Sequence, residues 1–100
     1  MAVDGTYRVI LDAFGSSTQG TVTLKSNGQA LSGEVYGMGM DAQLENGKVD
    51  GQSFSGTIEG PTPLGTMRFK VSGKVDGNAI AGTLKAGLVK ATFEGTRTRG

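Results

Sequence analysis

The stretch NGQALSG at residues 27–33 returns as DGQSFSG at 50–56 and DGNAIAG at 76–82. Asn-Gly or Asp-Gly between two alternating segments is a hairpin signal, because a tight two-residue loop needs backbone at positive φ to match the twist of its strands. Three such signals commit the chain to antiparallel strands. Helices are excluded from the other direction, since 18 glycines spread over 100 residues would each weaken a helix placed across them.

The segments between the turns alternate. In MRFKVSGKV, residues 67–75, Met67, Phe69, Val71 and Val75 fall on one face and Arg68, Lys70 and Lys74 on the other, the pattern of a half-buried strand. With Asp76-Gly77 as the turn, Val75 pairs with Asn78, Gly73 with Ile80 and Val71 with Gly82. The same register around Asn27-Gly28 pairs Leu24 with Leu31 and Val22 with Gly33. The middle copy offers two turns, Asn46-Gly47 and Asp50-Gly51, and Leu44 and Phe54 have the wrong relative parity across the second. One extra residue near Asn46-Gly47 restores the inward set, which predicts a bulge there followed by the repeated hairpin.

Eight strands result, at about 6–13, 18–26, 29–36, 40–45, 48–59, 65–75, 78–86 and 88–98. Their short connections make successive strands antiparallel neighbours. The fold expected is all-β, a single domain over 1–100, built as an eight-stranded up-and-down barrel whose closure leaves no free edge; a two-sheet β-sandwich is the alternative. Gly33, Gly56 and Gly82 then lie on the inward face just after each turn, where a missing side chain lets the sheet bend.

Up-and-down topology sends alternate loops to opposite ends. The three repeated turns share one end with both termini, and it is polar. At that end Tyr7 and Arg97 point inward from the first and last strands, an arginine on an aromatic face that closes the barrel. The other end holds the loops near 14–17, 37–39, 60–64 and 86–88, loaded with Phe14, Met38, Met40, Pro61, Pro63, Leu64 and Leu88. An apolar rim of this kind is a ligand mouth, a contact between copies, or a plug folded into the barrel.

The chemistry available is narrow. The chain has no cysteine and no histidine, so disulfides, thiolate nucleophiles and the usual general base at neutral pH are absent. Its acids fall on outward or turn positions, and its glycines lack the strand-to-helix context of a phosphate loop. A non-catalytic protein without metal or cofactor is expected. The basic third of the chain has no exposed aromatics interleaved with its lysines, which argues against nucleic acid. No apolar run reaches membrane-spanning length, and the expected setting is cytoplasmic, away from membranes. Charge is uneven: residues 1–65 hold three Lys or Arg against seven Asp or Glu, and residues 66–100 seven against two. That asymmetry suits either a solvated surface or a head-to-tail contact between copies.

Gly5-Thr6-Tyr7 on the first strand and the late arginine resemble the pattern of calycins, with Tyr in the place of Trp. Over nearly the whole chain, GTYRVILDAFGSSTQGTVTLKSNGQALSGEV, GKVDGQSFSG, VSGKVDGNAIAGTLKAG and the closing FEGTR resemble small lipocalin-like barrel domains of bacteria, found alone or appended to hydrolases. The resemblance implies the barrel and no catalytic motif. Two functions are therefore expected in competition. One is binding of a small apolar molecule through the end carrying Phe14, Met38, Met40, Leu64 and Leu88, against Val9, Leu11, Val22, Val35, Met67, Phe69 and Phe93. The other is a structural or interaction barrel with a filled core, self-associating or accessory to a partner.

Overall fold

The structure, a computed structural model, describes residues 3–13, 15–37, 40–62 and 65–99, with the side chains of Met40, Pro61 and Thr62 left aside. Nine strand segments follow one another: β1 (Gly5–Ala13), β2 (Ser16–Asn27), β3 (Ala30–Gly37), β4 (Met40–Gln43), β5 (Glu45–Asp50), β6 (Ser53–Thr62), β7 (Gly65–Asp76), β8 (Ala79–Ala86) and β9 (Val89–Arg99). Every ladder is antiparallel, and all join chain neighbours except β3 with β5 and the closing pair of β1 with β9. The result is a closed eight-stranded meander barrel, with β4 and β5 together making one wall strand. No helix among the described residues is long and apolar enough to cross a membrane.

The expected bulge is present. β3 pairs with β4 up to Glu34 and Gln43, Leu44 N–H donates to Gly33 O at 2.8 Å, and pairing resumes one residue out of step at Leu31 and Gly47. Pairing of β5 with β6 slips by one between Glu45 and Lys48. Asn46 takes φ 54°, the left-handed region that Asn tolerates best after glycine. The expected strand over 48–59 is divided by a turn at Gly51-Gln52, and β5 belongs with 40–45.

The hairpin registers differ from expectation by two residues. Val75 pairs with Ile80, Gly73 with Gly82 and Val71 with Leu84; likewise Leu24 pairs with Gly33 and Val22 with Val35. The loops are therefore Gly28-Gln29, Gly51-Gln52 and Gly77-Asn78, each with glycine first at φ 64°, 61° and 62° and a second residue without positive φ. These are the φ signs of a type II′ turn, which needs glycine only at its first central position. Asn27, Asp50 and Asp76 end strands instead of occupying loops. A slip of two preserves the side-chain period, so the same residues face inward.

The core runs through the barrel as a single cluster that includes Tyr7, Val9, Leu24, Leu31, Phe54, Ile58, Phe69, Val75, Ile80 and Phe93. At the end holding the repeated turns it is shut. Residues 3–4 fold over the opening: Val3, Tyr7, Val75 and Ile80 are inaccessible or nearly so, and Asp4 accepts hydrogen bonds from Ser26 N at 3.0 Å and Ser26 Oγ at 2.5 Å. Toward the other end the inward residues Leu11, Ala13, Val35, Met67, Ala86 and Val89 are half-buried. There β4 lies beside the outer half of β6 with no ladder between the two among the described residues, and Ala42 on one side of this seam and Ile58 on the other are both buried.

Candidate functional site

Inward glycines decide where the space inside this barrel is. A Cβ on Gly82 would lie 2.5 Å from Cζ of Phe93, and one on Gly73 would lie 2.5 Å from Cζ of Phe54. In the same way the Leu44 side chain occupies the room left by Gly56 and approaches Gly33. Phe54, Gly73, Gly82 and Phe93 are consecutive partners across β6, β7, β8 and β9, so two phenyl rings lie over two glycines in one row. Aromatic cover of a glycine row is a known way of filling a curved sheet. The repeated glycine thus faces inward, as its parity demands, and each copy receives a neighbour's side chain.

Above these rings a cavity of ≈ 50 Å³ remains, with walls that include Val22, Val35, Leu44, Ile58, Leu84 and Phe93 and a surface made of apolar atoms. Leu44 and Ile58 flank the seam between β4 and β6. Glu34 also borders the space through its apolar atoms, since no polar atom contributes to the cavity surface. A dry apolar cavity is the stable state for such walls, because water needs two or more polar partners to enter.

The expected binding residues divide. Val35 lines the cavity, as do Val9, Leu11, Val22 and Phe93. Phe69 is buried in the core and Met67 packs against it, but neither is part of the cavity wall. Leu88 stands fully exposed at the tip of the Gly87-Leu88 turn, away from the cavity. Phe14, Met38 and Leu64 lie outside the described residues, as does the side chain of Met40. Leu24, Leu44, Phe54, Ile58, Val71 and Leu84 also line the cavity and are absent from the expected binding set; for Leu44 the parity conflict is the signal that points to it.

At the shut end Tyr7 and Arg97 are register partners. The guanidinium carbon lies 5.4 Å from the Tyr7 ring centroid, and Arg97 Nη2 and Nε donate to the Tyr7 hydroxyl at 3.0 and 3.3 Å. That hydroxyl donates in turn to Val3 O at 2.7 Å. One phenol therefore ties the covering segment to both the first and last strands. Nearby, hydrogen bonds from Ser26 hold the Asp4 carboxyl below its ordinary range, since they favour the charged form.

No protein-family model, curated protein or solved structure matches the chain.

Proposed function

We propose that the protein is a non-catalytic binding barrel that takes a small apolar molecule at the end opposite its repeated turns, and that it is a small calycin-type domain of bacterial, cytoplasmic setting. The observation that carries the reading is the apolar cavity above the Phe54 and Phe93 rings, beside the ladder-free seam between β4 and β6. The calycin assignment rests on the Tyr7–Arg97 pair and the meander barrel; the setting rests on the resemblance and on a cysteine-free composition that suits a reducing compartment.

The cavity's size limits its occupant. At ≈ 50 Å³ it has about a third of the volume of the ~150 Å³ apolar cavity known to hold benzene. A ligand fits as the narrow end of an aliphatic chain, or with Val35, Leu44 and Ile58 moving aside at the seam. The same figure favours a second reading, a filled barrel that acts through its surface.

Native mass spectrometry of the protein as purified, without delipidation, separates the two. Ligand binding predicts excess mass on each chain that is lost under collisional activation. A bare mass at every charge state supports the filled barrel.

A further inference from the structure

The outer wall carries charges that the barrel leaves without partners. Lys70, Lys85 and Lys90 are direct cross-strand partners on β7, β8 and β9, all three exposed. Adjacent strands are about 4.8 Å apart, so the row spans roughly 10 Å. Like charges placed directly opposite one another destabilise a sheet. Two residues away on β7, Arg68 shows the usual remedy: it meets Glu59 at 3.3 Å and Glu45 at 3.6 Å. The lysines have no salt bridge or hydrogen bond among the described residues; the acids diagonal to the row, Glu59 beside Lys70 and Asp12 beside Lys90, are engaged by Arg68 and by the Ser17 hydroxyl instead.

The row lies just behind the most exposed apolar residue of the described chain. Lys85 and Lys90 pair immediately inside Ala86 and Val89, which close the Gly87-Leu88 turn. Gly87 takes the first loop position at φ 59° and leaves Leu88 at the second, with its side chain fully in solvent. Polar residues fill that position in the other three described glycine-first turns, as Gln29, Gln52 and Asn78. Lys90 is two residues from Leu88, about 7 Å along the strand.

We propose that this turn docks on an anionic lipid surface, with Leu88 entering the boundary between headgroups and acyl chains and Lys70, Lys85 and Lys90 engaging the headgroups. The depth matches: interfacial apolar groups bury about 5–10 Å, which brings the lysine row to headgroup level, and lysine stems reach further by extending along the surface. Charge complementarity also exists toward a second copy, whose β3 and β4 present Glu34 and Asp41. A wall-to-wall contact of that kind leaves the Leu88 tip outside, whereas a lipid surface takes tip and row together. The inference does not depend on whether the cavity holds a ligand.

The test is co-sedimentation of the intact protein with vesicles of phosphatidylcholine alone or mixed with phosphatidylglycerol, at low and physiological ionic strength. Binding is expected on the anionic vesicles only, and it weakens with salt because the headgroup attraction is screened. Leu88→Asn weakens it about tenfold, and the triple change of Lys70, Lys85 and Lys90 to Gln weakens it on the order of a hundredfold; circular dichroism verifies that both variants fold. The proposal is overturned by absence of binding, by equal binding to neutral vesicles, or by anionic binding that the two variants leave intact. It is equally overturned if sedimentation without vesicles shows self-association that the triple variant abolishes, which identifies a second copy as the occupant.

Discussion

The two ends of this barrel are built from the same strands and differ in how deeply their described side chains are buried. At one end Val3, Tyr7, Val75 and Ile80 are almost inaccessible, and the Tyr7 hydroxyl joins Val3, β1 and β9 through hydrogen bonds. At the other, Leu11, Val35 and Met67 stay half-buried above an apolar cavity, and β4 shares no ladder with β6. Burial and hydrogen bonding concentrate stability at the first end. Among the described residues the second end is packed more loosely.

Substitution at the shut end should cost the most. Tyr7→Ala removes a buried ring and the hydroxyl that Arg97 and Val3 share, and should cost about 4 kcal/mol in denaturant unfolding. Next is Gly82→Val, expected to cost about 2–3 kcal/mol, because its Cβ meets Ser72 O at 2.4 Å as well as the Phe93 ring, and backbone cannot step aside. An unchanged unfolding midpoint would remove the aromatic-over-glycine account. Val35→Ala, at the cavity wall, should cost only about 1 kcal/mol, since its side chain is half-buried and already borders empty space. A loss equal to that of Tyr7→Ala would mean that the ends are not distinct.

Two smaller effects separate the covering segment from the Leu88 tip. Because the folded-state pKa of Asp4 is lowered by Ser26, its contribution is complete above the unfolded carboxyl value of about 3.9. It is lost as pH falls through the folded value. Melting temperature followed into acid should therefore drop less steeply for Asp4→Asn than for the parent chain; parallel curves would show that the covering segment is not held through this carboxylate. Leu88→Asn should shift stability by no more than about 0.5 kcal/mol, as the side chain touches nothing that folding buries.

Much of this architecture is legible in the sequence because side-chain alternation survives errors of register. Taking Asp76-Gly77 as the loop misplaces the turn by one residue and the pairing by two, yet Phe69, Val71, Val75 and Ile80 still face inward. The bulge at Asn46-Gly47 is likewise legible from the parity conflict between Leu44 and Phe54, and the Tyr7–Arg97 pair from their places on the first and last strands. The interior is harder to read. Whether Phe54 covers Gly73 or leaves a void depends on the exact partner across each strand, which a two-residue shift changes entirely. The lysine row was hidden for the same reason: with the expected register Lys70 faces Thr83, and only the observed pairing sets it against Lys85. Leu88 reads as part of an apolar mouth until its turn geometry shows which way the tip projects.

An apolar guest is expected above the Phe54 and Phe93 rings and not at the shut end. Methyl-resolved NMR under increasing xenon pressure tests it most directly, since xenon enters dry apolar cavities without needing polar partners. Saturable shifts at Val22, Val35, Leu44 and Ile58, with Val3, Val75 and Ile80 unmoved, are the predicted result. Shifts spread evenly over both ends, or none that saturate, would contradict it.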